Sequence, residues 1–114
     1  MPTIKANLSK KLDRKAKEEL ALTLTSIVAN GLGKPEAVTQ ALVCDDTVMS
    51  FGGKFCDNVF IVVMSIGGLT PDVCKNLSRD MCAVFVKLGI PADKVYINFS
   101  EQRGSNWGWN SGTF

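Results

Sequence analysis

The hydrophobic positions along the chain follow strand-like and helix-like periods in an order that occurs twice. In the first half, a short strand-like stretch at residues 3–6 precedes a stripe of apolar side chains that recur every three or four residues across residues 12–28. We expect Ser9 to cap this helix and Gly33 to lie among the residues that end it. Residues 38–43 have the composition of a strand, so the first half predicts a strand, a helix and a strand.

The second half repeats this order. Six apolar residues in succession within residues 59–65 favour a strand that is covered on both faces. Thr70 and Pro71 are a typical helix cap and first-turn proline, and the apolar stripe that follows continues to residue 88, before Gly89. A short strand is expected at residues 95–99, ahead of a tail rich in glycine and asparagine.

Two short segments support the division into halves. Leu32-Gly33-Lys34-Pro35 and Leu88-Gly89-Ile90-Pro91 are similar, and each ends a predicted helix and precedes a predicted strand. The pattern predicts an α/β (α+β) fold in which two βαβ units form one four-stranded mixed sheet, with both helices on one face. The strands are too apolar for the other face to stay in water, so we expect the chain to form oligomers.

Composition limits the classes of function. The 114 residues suit a single domain over residues 1–114, and the net charge of +2 is too balanced for a dedicated nucleic-acid binder. Histidine is absent, which removes the usual general base and the commonest metal ligand, and we expect neither a metal ion nor a cofactor. No apolar run approaches the ~20 residues of a membrane helix. The N-terminus lacks a signal-peptide pattern, so we expect a cytoplasmic protein with no contact to a membrane.

The cysteines do not follow the spacing of a metal or redox motif. No CxxC pair occurs, and we expect reduced, mostly buried thiols, with disulfide bonds as the minor alternative. The residues concerned are Cys44, Cys56, Cys74 and Cys82.

Pro2 is the first candidate for chemistry. Met1 precedes a small residue, so we expect an aminopeptidase to remove it and to expose the secondary amine of the proline. A free α-amine titrates near pH ~8, and burial or a neighbouring cation lowers its pKa. Such a proline could act as a general base in a chain without histidine. The simpler interpretation is that Pro2 only begins a strand.

Three further features could complete a site, and each also has a simpler interpretation. Lys34 could bind a substrate carboxylate or lower the pKa of a nearby amine, or it could be a solvated loop cation. The Ser-Ile-Gly-Gly segment at residues 65–68 could offer backbone N–H groups to an anionic oxygen, or it could be a turn. Aromatic side chains could line a pocket for an aromatic substrate or serve packing alone: Tyr96, Trp107, Trp109 and Phe114.

Taken in order, these segments resemble the tautomerase superfamily and, within it, the macrophage migration inhibitory factor family. Each segment is weak alone, but their shared order and spacing make the set specific. The segments span nearly the whole chain: Met1-Pro2, Gly33-Lys34-Pro35, Met49-Ser50-Phe51-Gly52-Gly53, Ser65-Ile66-Gly67, Val95-Tyr96-Ile97-Asn98, and Asn106-Trp107-Gly108-Trp109-Asn110 through Phe114.

The resemblance implies a homotrimer whose three sheets enclose a central channel, with active sites between the subunits. It also implies keto–enol tautomerisation of phenylpyruvate-type acids and of dopachrome-like substrates. The implied site consists of the catalytic base Pro2, the substrate-binding Lys34 and backbone N–H of Ile66, Tyr96 and Asn98 from the adjacent subunit, and a pocket rim of Trp107, Trp109 and Phe114.

Three positions depart from the family pattern. Val38 stands where the best-known member has a pocket tyrosine, Met64 stands where a histidine is usual, and Trp107 is bulkier than the usual valine. We therefore expect tautomerase activity with an altered substrate preference.

The resemblance implies a second class of function as well. A cytokine-like protein would bind a CD74-type receptor and would leave the cell by a route that needs no signal peptide. Receptor binding with vestigial catalysis is therefore the alternative to an enzyme, and a small intracellular metabolic isomerase is a third possibility.

Overall fold

The computed structural model describes residues 1–114, and its helices and strands occur in the predicted order with two short hairpins added. The hairpins are formed by β3 with β4 and by β7 with β8. In chain order the elements are β1 (Thr3–Leu8), α1 (Arg14–Leu32), β2 (Gln40–Cys44), β3 (Ser50–Phe51), β4 (Lys54–Phe55), β5 (Val59–Ser65), α2 (Pro71–Lys87), β6 (Val95–Glu101), β7 (Gly108–Trp109) and β8 (Gly112–Thr113).

The four longer strands form one mixed sheet in the order β2-β1-β5-β6. β1 runs parallel to β2, and β5 runs parallel to β6, because a helix crosses over within each pair. The central strands β1 and β5 are antiparallel and join the two halves of the chain. The predicted fold class is confirmed: two βαβ units form a single four-stranded mixed sheet.

Both helices pack on one face of this sheet and enclose a single hydrophobic core. Strand residues at alternate positions point into this core, as a half-buried sheet requires. The helices contribute the apolar stripes that the sequence predicts, and the most deeply buried members of both layers are Ile4, Ala6, Leu8, Leu24, Val28, Val59, Ile61, Val63, Leu77, Met81 and Phe85.

The opposite face of the sheet is open within one chain. On β5, Phe60 is exposed and Val62 and Met64 are half-buried, whereas their neighbours Ile61 and Val63 are fully buried. Within a single chain this strand is therefore covered on one face, and the predicted cover of the other face requires a partner. The helices cover only one face, and the apolar residues on the other face have no partner within the chain.

The similar segments at the two helix ends fold in the same way. Gly33 and Gly89 both adopt positive φ angles, of 64° and 86°, which glycine tolerates without strain. The next backbone N–H in each case donates back into the helix, from Lys34 to the Ala29 carbonyl at 2.9 Å and from Ile90 to the Phe85 carbonyl at 3.0 Å. Each helix therefore ends in a Schellman motif, in which a left-handed residue reverses the chain.

The first helix begins later than the sequence predicts. Asp13, and not Ser9, caps α1, because the Asp13 carboxylate accepts a hydrogen bond from the Ala16 N–H at 2.7 Å. The hydroxyl of Ser9 instead accepts from the Asn58 backbone N–H at 3.0 Å and ties this loop to the start of β5.

Two smaller predictions also need correction. Residues 36–38 form one turn of 3-10 helix after Pro35, so β2 begins at Gln40 and not at residue 38. All four cysteines are free thiols, as expected, but none is buried: Cys44 is exposed and the others are half-buried. Neither helix combines the length and the apolar character needed to cross a lipid bilayer.

The core predicts how two leucines of α1 differ in their contribution to stability. Leu24 is 0% exposed and Leu22 is 71% exposed. We expect Leu24→Ala to lower the free energy of unfolding by about 2–5 kcal/mol, because it leaves a cavity. The matched change Leu22→Ala should cost less than about 0.5 kcal/mol. Denaturant titrations of both variants measure the difference, and equal losses would contradict this description of the core.

Candidate active site

Pro2 lies at the start of β1, next to the sheet edge formed by β2. Its side chain is fully buried, and its carbonyl accepts a hydrogen bond from the Gln40 N–H at 3.1 Å. With Met1 attached, the Pro2 nitrogen is part of an amide and is not basic. The fold therefore holds this residue rigidly, and its chemistry depends on whether Met1 is present.

Lys34 extends from the end of α1 to the turn that follows β5. Its Nζ donates to the Ser65 hydroxyl at 3.0 Å and to the Ile66 carbonyl at 2.6 Å, and the Gly67 carbonyl lies at 3.5 Å. An ammonium group has three donors, and the contact with the Gly67 carbonyl is the longest of these three. Lys34 is thus not the freely solvated loop cation of the simpler interpretation.

The local sequence explains why a lysine can reach this turn. Lys34 follows the left-handed Gly33, so the chain reverses and directs it back across the end of the sheet. The acceptor carbonyls belong to a turn in which Gly67 and Gly68 both have positive φ angles, of 77° and 87°. The turn that the sequence predicts after β5 therefore supplies carbonyl acceptors for the Lys34 ammonium group.

The N-terminal amine and Lys34 lie close enough to influence each other. The pKa of the Met1 α-amine is lowered, first by burial, then by the positive charge of Lys34, and finally by a hydrogen bond with the Lys34 side chain. Burial and a neighbouring cation both disfavour the protonated amine. The residue that precedes Pro2 and Lys34, which are far apart in the sequence, therefore meet at one end of the sheet.

A cavity of about 390 Å³ opens beside this end of the chain. Val38 lines it from the 3-10 turn, and Trp107, Trp109 and Phe114 line it from the C-terminal segment. The rings of Trp109 and Phe114 stack nearly parallel, at 9°, with centroids 5.5 Å apart. The three aromatic residues therefore line one cavity, which they share with Val38.

The aromatic rim is held by a tight hairpin. Asn110 and Ser111 connect β7 to β8 with φ angles of 51° and 66°, as a two-residue type I′ turn requires. The backbone N–H of Phe114 lies 3.1 Å from the Gly104 carbonyl and 3.2 Å from the Trp107 carbonyl, so the end of the chain is fastened to the hairpin.

Ile66 follows β5 in the turn that Lys34 contacts. Its carbonyl is occupied by Lys34, but its N–H makes no hydrogen bond within the chain. The residue is half-buried, next to the turn glycines. Its N–H is therefore free for a ligand.

Tyr96 and Asn98 do not join this cluster within the chain. Both lie on β6, on the open face of the sheet, and the Tyr96 ring packs on Phe51 with centroids 4.8 Å apart. Tyr96 is level with Asn7 in the sheet register and two strands away from β1. Standard strand dimensions place it about 10 Å across the sheet and about 16 Å along it from Pro2.

Sequence reasoning missed what three polar side chains of the site do. Ser65 anchors Lys34 through its hydroxyl, and Thr3 and Gln40 line the cavity next to Pro2. The alternation of side chains along β2 and the buried serine at the end of an apolar strand were the available signals. Neither signal identifies a partner without the strand register.

Comparisons with known proteins agree with this geometry. The family profile described as macrophage migration inhibitory factor (MIF) matches residues 1–114. The macrophage migration inhibitory factor of Xenopus tropicalis is 34% identical over 98 residues, which cover 85% of each chain. A homolog from Trichinella spiralis is 36% identical over 95 residues, covering 79% of this chain and 80% of its own.

Solved structures show the same similarity. The macrophage migration inhibitory factor-like protein from Entamoeba histolytica superposes with a TM-score of 0.94 at 32% identity, covering 99% of this chain and 98% of that one. The repeated βαβ sheet with its cleft is therefore the fold of macrophage migration inhibitory factor-like proteins. The chain belongs to the macrophage migration inhibitory factor family.

Proposed function

We propose that this protein is a keto–enol tautomerase for phenylpyruvate-type acids, with the freed amine of Pro2 as general base. The observation that supports this most directly is the position of the chain terminus: Met1, the residue before Pro2, lines an aromatic-walled cavity, and burial and the charge of Lys34 lower the pKa of its α-amine. The base suits the C–H group next to the ketone of an aromatic 2-keto acid, the cation suits its carboxylate, and the apolar wall suits its ring. Dopachrome-like substrates offer the same combination of an aromatic ring and an anionic group.

The proposed reaction is an isomerisation that needs no co-reactant. After Met1 is removed, the Pro2 nitrogen takes a proton from the carbon next to the ketone, and the C–H electron pair forms the C=C bond of the enol. The protonated Pro2 amine then returns this proton to the ketone oxygen, so substrate and product have the same atoms and the free base is restored. Lys34 attracts the carboxylate through its positive charge, and a carboxylate oxygen replaces the Gly67 carbonyl, which lies 3.5 Å from Nζ. The Ile66 N–H donates to a substrate oxygen.

The altered residues of the pocket keep its aromatic character. Val38 offers no ring for stacking, but Trp107 lines the same cavity and adds a larger one. We infer that Trp107 takes over the aromatic contact that Val38 cannot make. Activity is then retained, and the shape of the preferred substrate changes.

We also propose that three chains form a homotrimer with active sites between the subunits. The open sheet face carries the exposed apolar side chains Leu42 and Phe60, whose contact with water is unfavourable. Tyr96 and Asn98 lie on that face, too far from Pro2 of their own chain, so they could reach the Pro2 of a neighbour.

Sedimentation equilibrium at micromolar concentration tests the assembly. The expected mass is about three times the 12.3 kDa of the chain. A monomer at this concentration would contradict the proposal.

A CD74-type receptor is the second proposed partner, reached by export without a signal peptide. Besides family membership, two strongly exposed apolar side chains support a binding surface: Val48 and Phe55, beside and within the β3–β4 hairpin. They lie outside the cavity at Pro2. Receptor binding measured on catalytically inactive protein separates this role from enolisation.

Pro2→Gly tests the catalytic base. In protein whose mass confirms loss of Met1, we expect phenylpyruvate tautomerisation, followed by absorbance, to fall about 100-fold or more. A matched control keeps Pro2 but inserts one alanine between Met1 and Pro2, which acylates the proline nitrogen and should cause a similar loss. Full activity in either protein, with an unchanged circular dichroism spectrum, would refute the proline base.

Lys34→Ala tests the electrostatic role of the lysine. The base acts when it is unprotonated, so kcat/KM rises with pH through the amine pKa. Removal of the neighbouring cation should raise that pKa and move the rising limb to higher pH. Lys34→Arg keeps the charge and should leave the limb near its original position. A limb that stays in place in Lys34→Ala would show that Lys34 does not tune the amine.

A further inference from the structure

Ser65 is a fully buried polar residue at the end of β5. It continues the alternation of Val59, Ile61 and Val63, so its side chain lies on the face of the sheet that the helices cover. A hydroxyl group at such a position needs hydrogen-bond partners, whereas a small apolar side chain would need none. The partners of the hydroxyl therefore indicate what this serine does.

The Ser65 hydroxyl joins the Lys34 ammonium group to the turn after β5. It accepts a hydrogen bond from Lys34 Nζ at 3.0 Å and donates one to the Gly67 carbonyl at 2.8 Å. The same Gly67 carbonyl lies 3.5 Å from Lys34 Nζ. This carbonyl therefore has a short bond from the serine and only a long contact with the lysine.

The difference in these distances decides which contact of Lys34 can be exchanged. In the proposed reaction, a substrate carboxylate takes the place of the Gly67 carbonyl at Nζ. Gly67 is half-buried, and a carbonyl that lost its only donor there would destabilise the complex. Because the Ser65 hydroxyl still donates to it, this carbonyl stays paired when Lys34 turns to the substrate. The Ile66 carbonyl, 2.6 Å from Nζ, continues to hold the ammonium group in place.

We propose that Ser65 is a positioning residue, which makes one donor of Lys34 available to the substrate carboxylate by satisfying the Gly67 carbonyl in its place. This inference rests on the proposed tautomerase function. Without the hydroxyl, Lys34 is the remaining side-chain donor to the Gly67 carbonyl, and the substrate has to compete with that carbonyl. Ser65 acts through Lys34, so its effect is confined to substrates that carry the carboxylate.

The test compares phenylpyruvate with its methyl ester, which has the same ring and ketone but no negative charge. The readout is the ratio of kcat/KM for the acid to kcat/KM for the ester, because losses common to both substrates cancel. Ser65→Ala removes the hydroxyl, and Ser65→Cys replaces it with a weakly hydrogen-bonding thiol without leaving a cavity. We expect each variant to lower the ratio about 3- to 10-fold, the size of one hydrogen bond.

Ser9→Ala is the matched control. The Ser9 hydroxyl is also structural, because it accepts a hydrogen bond from the Asn58 backbone N–H at 3.0 Å. Ser9 follows the last residue of β1, whereas Pro2 precedes the first, so the two lie at opposite ends of this strand. The control variant loses a serine hydroxyl of similar structural importance and should leave the ratio unchanged.

The outcomes separate the role of Ser65 from the proposed function. If the Ser65 variants lose activity towards acid and ester by the same factor, the inference is overturned and the tautomerase proposal stands. If the wild type converts neither compound, the tautomerase proposal fails. The inference is then tested with the Kd values of both compounds, measured by the fluorescence of the tryptophans that line the cavity. A weaker preference for the acid in Ser65→Ala would support the inference, and an unchanged Kd ratio would overturn it.

Discussion

The site depends on the hydrogen bonds that hold the ammonium group of Lys34 between the two halves of the chain. A half-buried cation needs polar partners, and Lys34 finds them in the Ser65 hydroxyl and the Ile66 carbonyl. These contacts tie the end of α1 to the turn after β5. They also fix a positive charge beside the N-terminus, where it lowers the pKa of the terminal amine. One set of contacts thus serves the architecture and the electrostatics of the cleft.

The repeated βαβ units show why only one half has such a site. Ile90 occupies the position in the second half that Lys34 occupies in the first, and it is fully buried in the core. The end of α2 is instead held by a lysine from the first half of the chain: Lys10 donates to the Leu88 carbonyl at 2.7 Å. Both helix ends are therefore held by a lysine, but only the first has a chain terminus and an open cavity beside it.

Much of the fold follows from local pattern in the sequence. The alternation of Ile4, Ala6 and Leu8, the helical stripes, and the glycines at 33 and 89 predict the elements and their repeat, because each signal acts over a few residues. The cap at Asp13 was missed because the hydroxyl of Ser9 is used in a contact with Asn58, which is 49 residues away in the chain.

The site was less predictable than the fold. Pro2 and Lys34 stand out by residue type, but the bond from Lys34 to Ser65 depends on the turn after β5. The roles of Thr3 and Gln40 depend on strand register, which no local pattern reveals. Tyr96 and Asn98 were assigned through family resemblance, and within one chain they lie far from Pro2.

The central claim is that the freed Pro2 amine is a base whose pKa is lowered by burial and by Lys34. The most direct measurement is an NMR titration of protein with ¹⁵N-labelled proline, after mass spectrometry has confirmed the loss of Met1. The account predicts a Pro2 nitrogen that titrates below the ordinary α-amine value of about 8. It also predicts a higher pKa in Lys34→Ala. A pKa at or above the ordinary value, unchanged by Lys34→Ala, would contradict the account.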